Sequence, residues 1–154
     1  MKKAVVSIFL LCLVLGQAIS GFATAKQITI NGIVVDIPDD MGSIREKDDR
    51  TFVPIRFISE YLGCAVNYGE LQETATITDG NHVSYLAQRD SEMLYILPNT
   101  GMAQRIRMDT QVFIDDSEGR MYIPIRFFAQ ALGYTVDWDE TTETVSLTAA
   151  PPAE

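Results

Sequence analysis

From Gln27 onward the chain sets apolar and polar residues in short alternating bursts, and each burst predicts a strand or a helix. "QITI" and "IVVD" flank Asn31-Gly32, a pair that supplies the positive φ angles of a type I′ turn, so residues 27–36 predict a hairpin. Ile55, Ile58 and Leu62 then fall on one helical face between Pro54 and Gly63. Ile125, Phe128 and Leu132 do the same between Pro124 and Gly133. Proline suits the first helical position because its missing N–H is not needed there, and glycine suits the left-handed position after a helix. Beyond each glycine, "CAVNY" and "YTVDW" alternate like half-buried strands. "TATIT" and "TVSLT" follow suit, each joined to its partner by an acidic turn. "EMLYIL", "PNTG" and "AQRIRM" predict a further hairpin, expected to fill in the second half the place of residues 27–36 in the first. "HVSYLA" (82–87) predicts a linking strand.

These bursts recur as a unit. Residues 50–78 align without a gap to residues 120–148, with 12 of 29 positions identical, including Arg50/Arg120, Pro54/Pro124, Arg56/Arg126 and Gly63/Gly133. Tyr68 answers to Trp138. The expected fold is α+β with two similar halves, about 26–80 and 81–149, each a small antiparallel sheet packed on one short helix. Residues 150–154 are expected to fray.

The first 25 residues read differently. Lys2 and Lys3 precede an apolar run from Ala4 to Leu15, and Ala23-Thr24-Ala25 has the small-x-small form of a cleavage site. That predicts a signal peptide over residues 1–25, too short in its apolar part to span a bilayer. Without Lys2 and Lys3, 10 basic residues face 21 acidic ones. Such a surface speaks against nucleic acid and against anionic membranes, and no stable membrane insertion is expected after cleavage. Cys64 alone then remains, so an intramolecular disulfide is ruled out, and it is expected to be a small buried residue rather than a nucleophile.

The stretch "GRMYIPIRFFAQALGYTVDWDETTETVSLT" and, less fully, "RTFVPIRFISEYLGCAVNYGELQETATIT" resemble the copper amine oxidase N-terminal domain-like family. In the first segment Asp49 replaces the family's glycine, and Asn67-Tyr68-Gly69 replaces Asp-Trp-Asp. The resemblance implies a stalk domain of the kind found in exported proteins of Gram-positive bacteria. It implies a secreted or cell-wall-associated location and no oxidase chemistry of its own.

The amine oxidase copper site takes three histidines, whereas this chain has only His82, placed in an expected strand, so no metal or other cofactor is expected. Asp137, Asp139 and Glu140 fail the EF-hand spacing, and Asp39-Asp40 and Asp115-Asp116 read as solvated turns. Glu70/Glu73 and Glu140/Glu143 could serve as hydrolytic acid and base, a reading ranked last. Phosphate-loop and nucleophile-elbow motifs are missing from the sequence. Arg56 and Arg126 are expected to be structural fasteners, each lying over Tyr68 or Trp138 or bonding backbone carbonyls, so Arg126→Ala is expected to lower the melting temperature. The structural signature is thus Arg50, Pro54, Arg56, Gly63 and Tyr68 with Arg120, Pro124, Arg126, Gly133 and Trp138. If a ligand is bound, Tyr134, Trp138 and Arg126 are its expected contacts. The leading expectation is a non-catalytic exported envelope module touching a cell-wall polymer or another envelope protein. The alternative is a carbohydrate- or peptidoglycan-binding module using Tyr85, Tyr95, Tyr134 and Trp138.

Overall fold

Alternation becomes strand pairing throughout residues 25–150, the part of the chain that the computed structural model describes. The expected leader lies outside the described residues except for Ala25, which is buried, and the expected tail lies outside them except for Ala150. Ala150 is held, its N–H donating to the Gly133 carbonyl at 3.3 Å.

In chain order the elements are β1 (Gln27–Ile30), β2 (Ile33–Val35), a 3-10 turn (Asp39–Met41), β3 (Arg45–Lys47), β4 (Arg50–Pro54) and α1 (Ile55–Tyr61). Then come β5 (Ala65–Gly69), β6 (Thr74–Thr78), β7 (Ser84–Gln88), β8 (Met93–Leu97), β9 (Gln104–Arg107) and β10 (Phe113–Asp115). The chain closes with β11 (Arg120–Pro124), α2 (Ile125–Ala131), β12 (Tyr134–Asp139) and β13 (Thr144–Ala149). The fold is α+β, mostly strand, in three sheets with two helices. Asn31 and Gly32 take φ of 50° and 79°, so the first hairpin has the expected turn.

The expected assignment of one sheet to each half does not hold. The sheets run β12-β13-β1-β2, β10-β11-β4-β3 and β5-β6-β7-β8-β9, so every sheet draws strands from both halves. The cause in the first sheet is apolar matching. β1 lies parallel to β13 with Ile28 opposite Val145 and Ile30 opposite Leu147, and all four side chains are buried. A parallel pair needs a long crossover, and here nearly the whole chain supplies it. Nor does β8–β9 take the place expected for it, since it lies beyond β7 on the sheet that holds β5 and β6.

The middle sheet has a register that is symmetric about one residue pair. β11 and β4 run antiparallel with Tyr122 opposite Pro54, Ile123 opposite Val53 and Pro124 opposite Phe52. Val53 and Ile123 are fully buried at the centre. Phe113 stacks on Tyr122 at 5.1 Å between centroids, and Phe52 tilts against Phe113 at the same distance. The prolines do not open the helices as first helical residues. Pro54 and Pro124 have extended ψ values of 121° and 115°, finish the strands and stand as N-caps, so the helices begin at Ile55 and Ile125.

Seven residues are too few for a helix to persist alone, so burial holds both. Ile55, Ile58, Ile125 and Phe128 supply that burial. Gly63 and Gly133 take φ of 80° and 85°, as a left-handed cap requires. Gly63 N–H donates to the Glu60 carbonyl and Cys64 N–H to that of Ser59, closing a Schellman turn. His82 does not lie in a strand: it precedes β7 in a turn with φ 61°, where its N–H reaches the Asp79 carbonyl.

Candidate functional site

The antiparallel register of β4 and β11 sets the end of each strand beside the beginning of the other. Each helix start therefore faces the opening arginine of the other segment across an open groove. In the first groove, of about 360 Å³, Pro54, Ile55 and Arg56 face Glu118, Gly119 and Arg120, with Val66, Tyr68 and Ala75 as the floor. In the second, of about 160 Å³, Pro124, Ile125 and Arg126 face Asp49, Arg50 and Thr51, with Val136, Trp138 and Val145 as the floor. Of the ten signature residues, eight thus gather in these grooves, four in each, while Gly63 and Gly133 stay at the helix ends.

The arginines divide into two kinds. Arg50 donates through Nε and Nη2 to Asp109 Oδ2 at 2.9 and 2.5 Å, and through Nη1 to its neighbour's carbonyl at Asp49. Its guanidinium, bonded to Asp109, holds that carboxyl below the usual carboxylate range. Arg120 donates to the Asp40 carbonyl at 2.5 Å and to Glu118 Oε2 at 3.5 Å. Arg56 and Arg126 are different. Both are exposed, and among the described residues neither makes a hydrogen bond, an ion pair or a ring contact, although Arg126 lies close enough to lower the Asp109 pKa further. Neither makes the contact expected of a fastener: among the described residues the cation–π contacts are Arg45 over Tyr122 and Lys47 over Phe113. The physical reason is direction. Position 56 lies between buried Ile55 and Phe57, and position 126 between buried Ile125 and half-buried Phe127, which turns both to the solvent side of the helix.

The aromatic candidates separate as well. Trp138 shares the second groove with Arg126, and Tyr68 shares the first with Arg56. Tyr134 does not join them; it is half-buried against the core, outside both grooves. Tyr85 is not exposed at all. It is 4 % accessible, sits edge-on to Phe128, and donates its hydroxyl to Asp79 at 3.2 Å. Burial first, and Asp79 second, push its phenol pKa far upward. Tyr95 is exposed on β8, away from the grooves.

The proposed carboxylate pairs line neither groove. Glu73 accepts from Arg89 at 2.8 Å, and Glu143 pairs with Lys26. Asp139 accepts from the backbone N–H groups of Thr142 and Thr141, which hold its pKa down as turn chemistry does. Among the described residues no three His, Cys, Asp or Glu side chains gather as a metal site would require. Burial, with Asp79 second, raises the Cys64 thiol pKa, the opposite of nucleophile activation.

Three residues of the grooves and their supports, Met41, Asp109 and Glu118, carry no signal in the sequence, and Asp40 reads there only as part of a solvated turn. Glu118 accepts from the buried Tyr122 hydroxyl at 2.8 Å and from Arg45 and Arg120. Asp40 and Met41 come from the 3-10 turn, and Asp109 from a loop. Only the recurrence of arginine before each β4-like strand could have hinted that partners were needed.

A sequence comparison aligns with this geometry. Residues 27–147 match the copper amine oxidase N-terminal domain, from the start of β1 to within two residues of the end of β13. Neither the curated proteins nor the solved structures contain a match to the chain. With all three sheets and both helices inside the match, the chain belongs to the copper amine oxidase N-terminal domain family.

Proposed function

We propose that the protein is a non-catalytic, exported module of the cell envelope, secreted or wall-associated, that works by contact with a cell-wall polymer or another envelope protein. One observation carries the reading: the family match covers almost all of the described chain, and domains of this stalk type are generally non-catalytic. The form of the grooves supports it, because the recurring residues are shared between two open clefts instead of converging on one enclosed centre. The internal duplication of residues 50–78 as 120–148 belongs to the same reading. Neither nucleic acid nor a bilayer is a partner in it. Sedimentation of the chain from residue 26 with purified cell-wall sacculi, and with solubilised envelope proteins, tests it. Retention on either supports contact. Retention on neither, or release of soluble sugars from the sacculi, overturns it.

A second reading is a carbohydrate- or peptidoglycan-binding module. It is favoured by the placing of Trp138 with Arg126 and of Tyr68 with Arg56 in shared clefts.

A further inference from the structure

We infer that the two grooves are similarly built saccharide subsites that together hold one repeating, uncharged glycan strand, a pyranose unit in each; the inference rests on the contact reading above. Four observations lead there. The first is the aromatic ring in each floor, Tyr68 and Trp138, the first 39 % exposed and the second half-buried. A flat ring suits the C–H face of a pyranose, which is apolar on its face and polar at its rim.

The second is the polar set beside the ring. Arg56 stands with Asp40 in one groove and Arg126 with Asp137 in the other. Among the described residues, the side chains of Arg56, Asp40 and Asp137 make no hydrogen bond or ion pair. A sugar hydroxyl both donates and accepts, so a free guanidinium fork and a free carboxylate serve adjacent hydroxyls together.

The third is charge. Each groove sets two acids against two arginines, so a neutral strand meets no net charge there, while the chain's net −9 repels a polyanion. The fourth is number. Two grooves that each combine an aromatic ring, an arginine and a carboxylate, each built from both segments, fit a ligand that presents one unit repeatedly. Holding such a strand at two points raises its apparent affinity without any new contact.

Titration calorimetry of the chain from residue 26 tests this with neutral disaccharides and soluble polymers of the N-acetylglucosamine, glucose and mannose series, and with polygalacturonate as the polyanion. One neutral series should bind with two disaccharides per chain, and its polymer should bind at least about tenfold more tightly. Arg56→Ala and Arg126→Ala should each cut the disaccharide stoichiometry to one and remove the polymer's advantage, with unchanged melting temperature. Trp138→Ala, checked for folding, should repeat the loss in the second groove. Binding of no neutral series, tighter binding of polygalacturonate, or indifference to both arginine variants overturns the inference. Retention on sacculi in spite of those variants leaves the contact reading standing without the grooves, and failure to be retained at all removes both.

Discussion

The first groove, of about 360 Å³, and the second, of about 160 Å³, start from one recipe and differ in what the surrounding chain adds. Both have proline, isoleucine and arginine on one rim, an aromatic in the floor and an arginine on the far rim. The first gains a wall from Asp40 and Met41, and its far arginine leans on the Asp40 carbonyl and Glu118. The second lacks that wall, and its far arginine is tied to Asp109 instead. Its floor has Val145 where the first has Ala75, and Trp138 where the first has Tyr68, which fills space. The difference teaches that the paired strands fix where the grooves lie, while loops outside the duplicated segments set their size and charge.

The strongest way to break the comparison is to damage the core beneath one helix. Phe128 is fully buried under α2 and meets Tyr85, while Ile58 is fully buried under α1. Phe128→Ala should cost about 3–5 kcal/mol and Ile58→Ala about 2–5 kcal/mol. Denaturant unfolding should show each as one cooperative loss, since the sheets are shared; separate transitions for the two helices would contradict that sharing.

A narrower break strikes only the first groove. Gly42 follows the 3-10 turn with φ 102°, and a Cβ there would lie 2.8 Å from the Tyr122 hydroxyl and 2.9 Å from Pro54 Cγ. Gly42→Ala should destabilise by about 1–3 kcal/mol through left-handed strain and overpacking. Thermal melting measures the loss, and quenching of Trp138 fluorescence by iodide should stay unchanged because the second groove is remote from the change.

Smaller effects sharpen the contrast between the arginines. Asp109→Asn should weaken chiefly the exposed Arg50 pair, by about 0.5 kcal/mol. Because Arg50 depresses the Asp109 pKa in the folded state, the pair's contribution is fully present above about pH 4 and lost as pH falls through the folded value. The same sign holds for Asp115, held down first by Ser117, and for Asp139, held down by Thr142 and Thr141. Acid titration followed by circular dichroism should therefore show wild type losing stability below about pH 4, and Asp109→Asn losing less of it. Smallest of all, Arg56→Ala and Arg126→Ala should each stay within about 0.5 kcal/mol of wild type in melting experiments. A larger fall in either would support the fastener role.

Local pattern carried far in this chain and long-range pairing did not. Asn31-Gly32, Gly63, Gly133 and the alternating strands are legible because one or two residues set their own backbone. The partnership of β1 with β13 is not, because Ile28 and Ile30 would match any buried apolar row equally well. The recurring arginines line the two grooves, but sequence spacing could not say which way the side chains at 56 and 126 point. Proline misled by one position, since the same φ near −60° serves the end of a strand and the start of a helix. Tyr85 misled because a tyrosine in an alternating strand can face either way, and here its hydroxyl found Asp79 inside.

The parallel pairing of β1 with β13 also has a mechanical meaning. Gln27 lies beside Thr144 and Ile30 beside Leu147, so the chain enters at one end of the pair and leaves at the other. Tension applied between residues 26 and 150 would slide the two strands along each other and load all four residue pairs at once, instead of unzipping them one by one. A module pulled from both ends would meet that force with its strongest geometry.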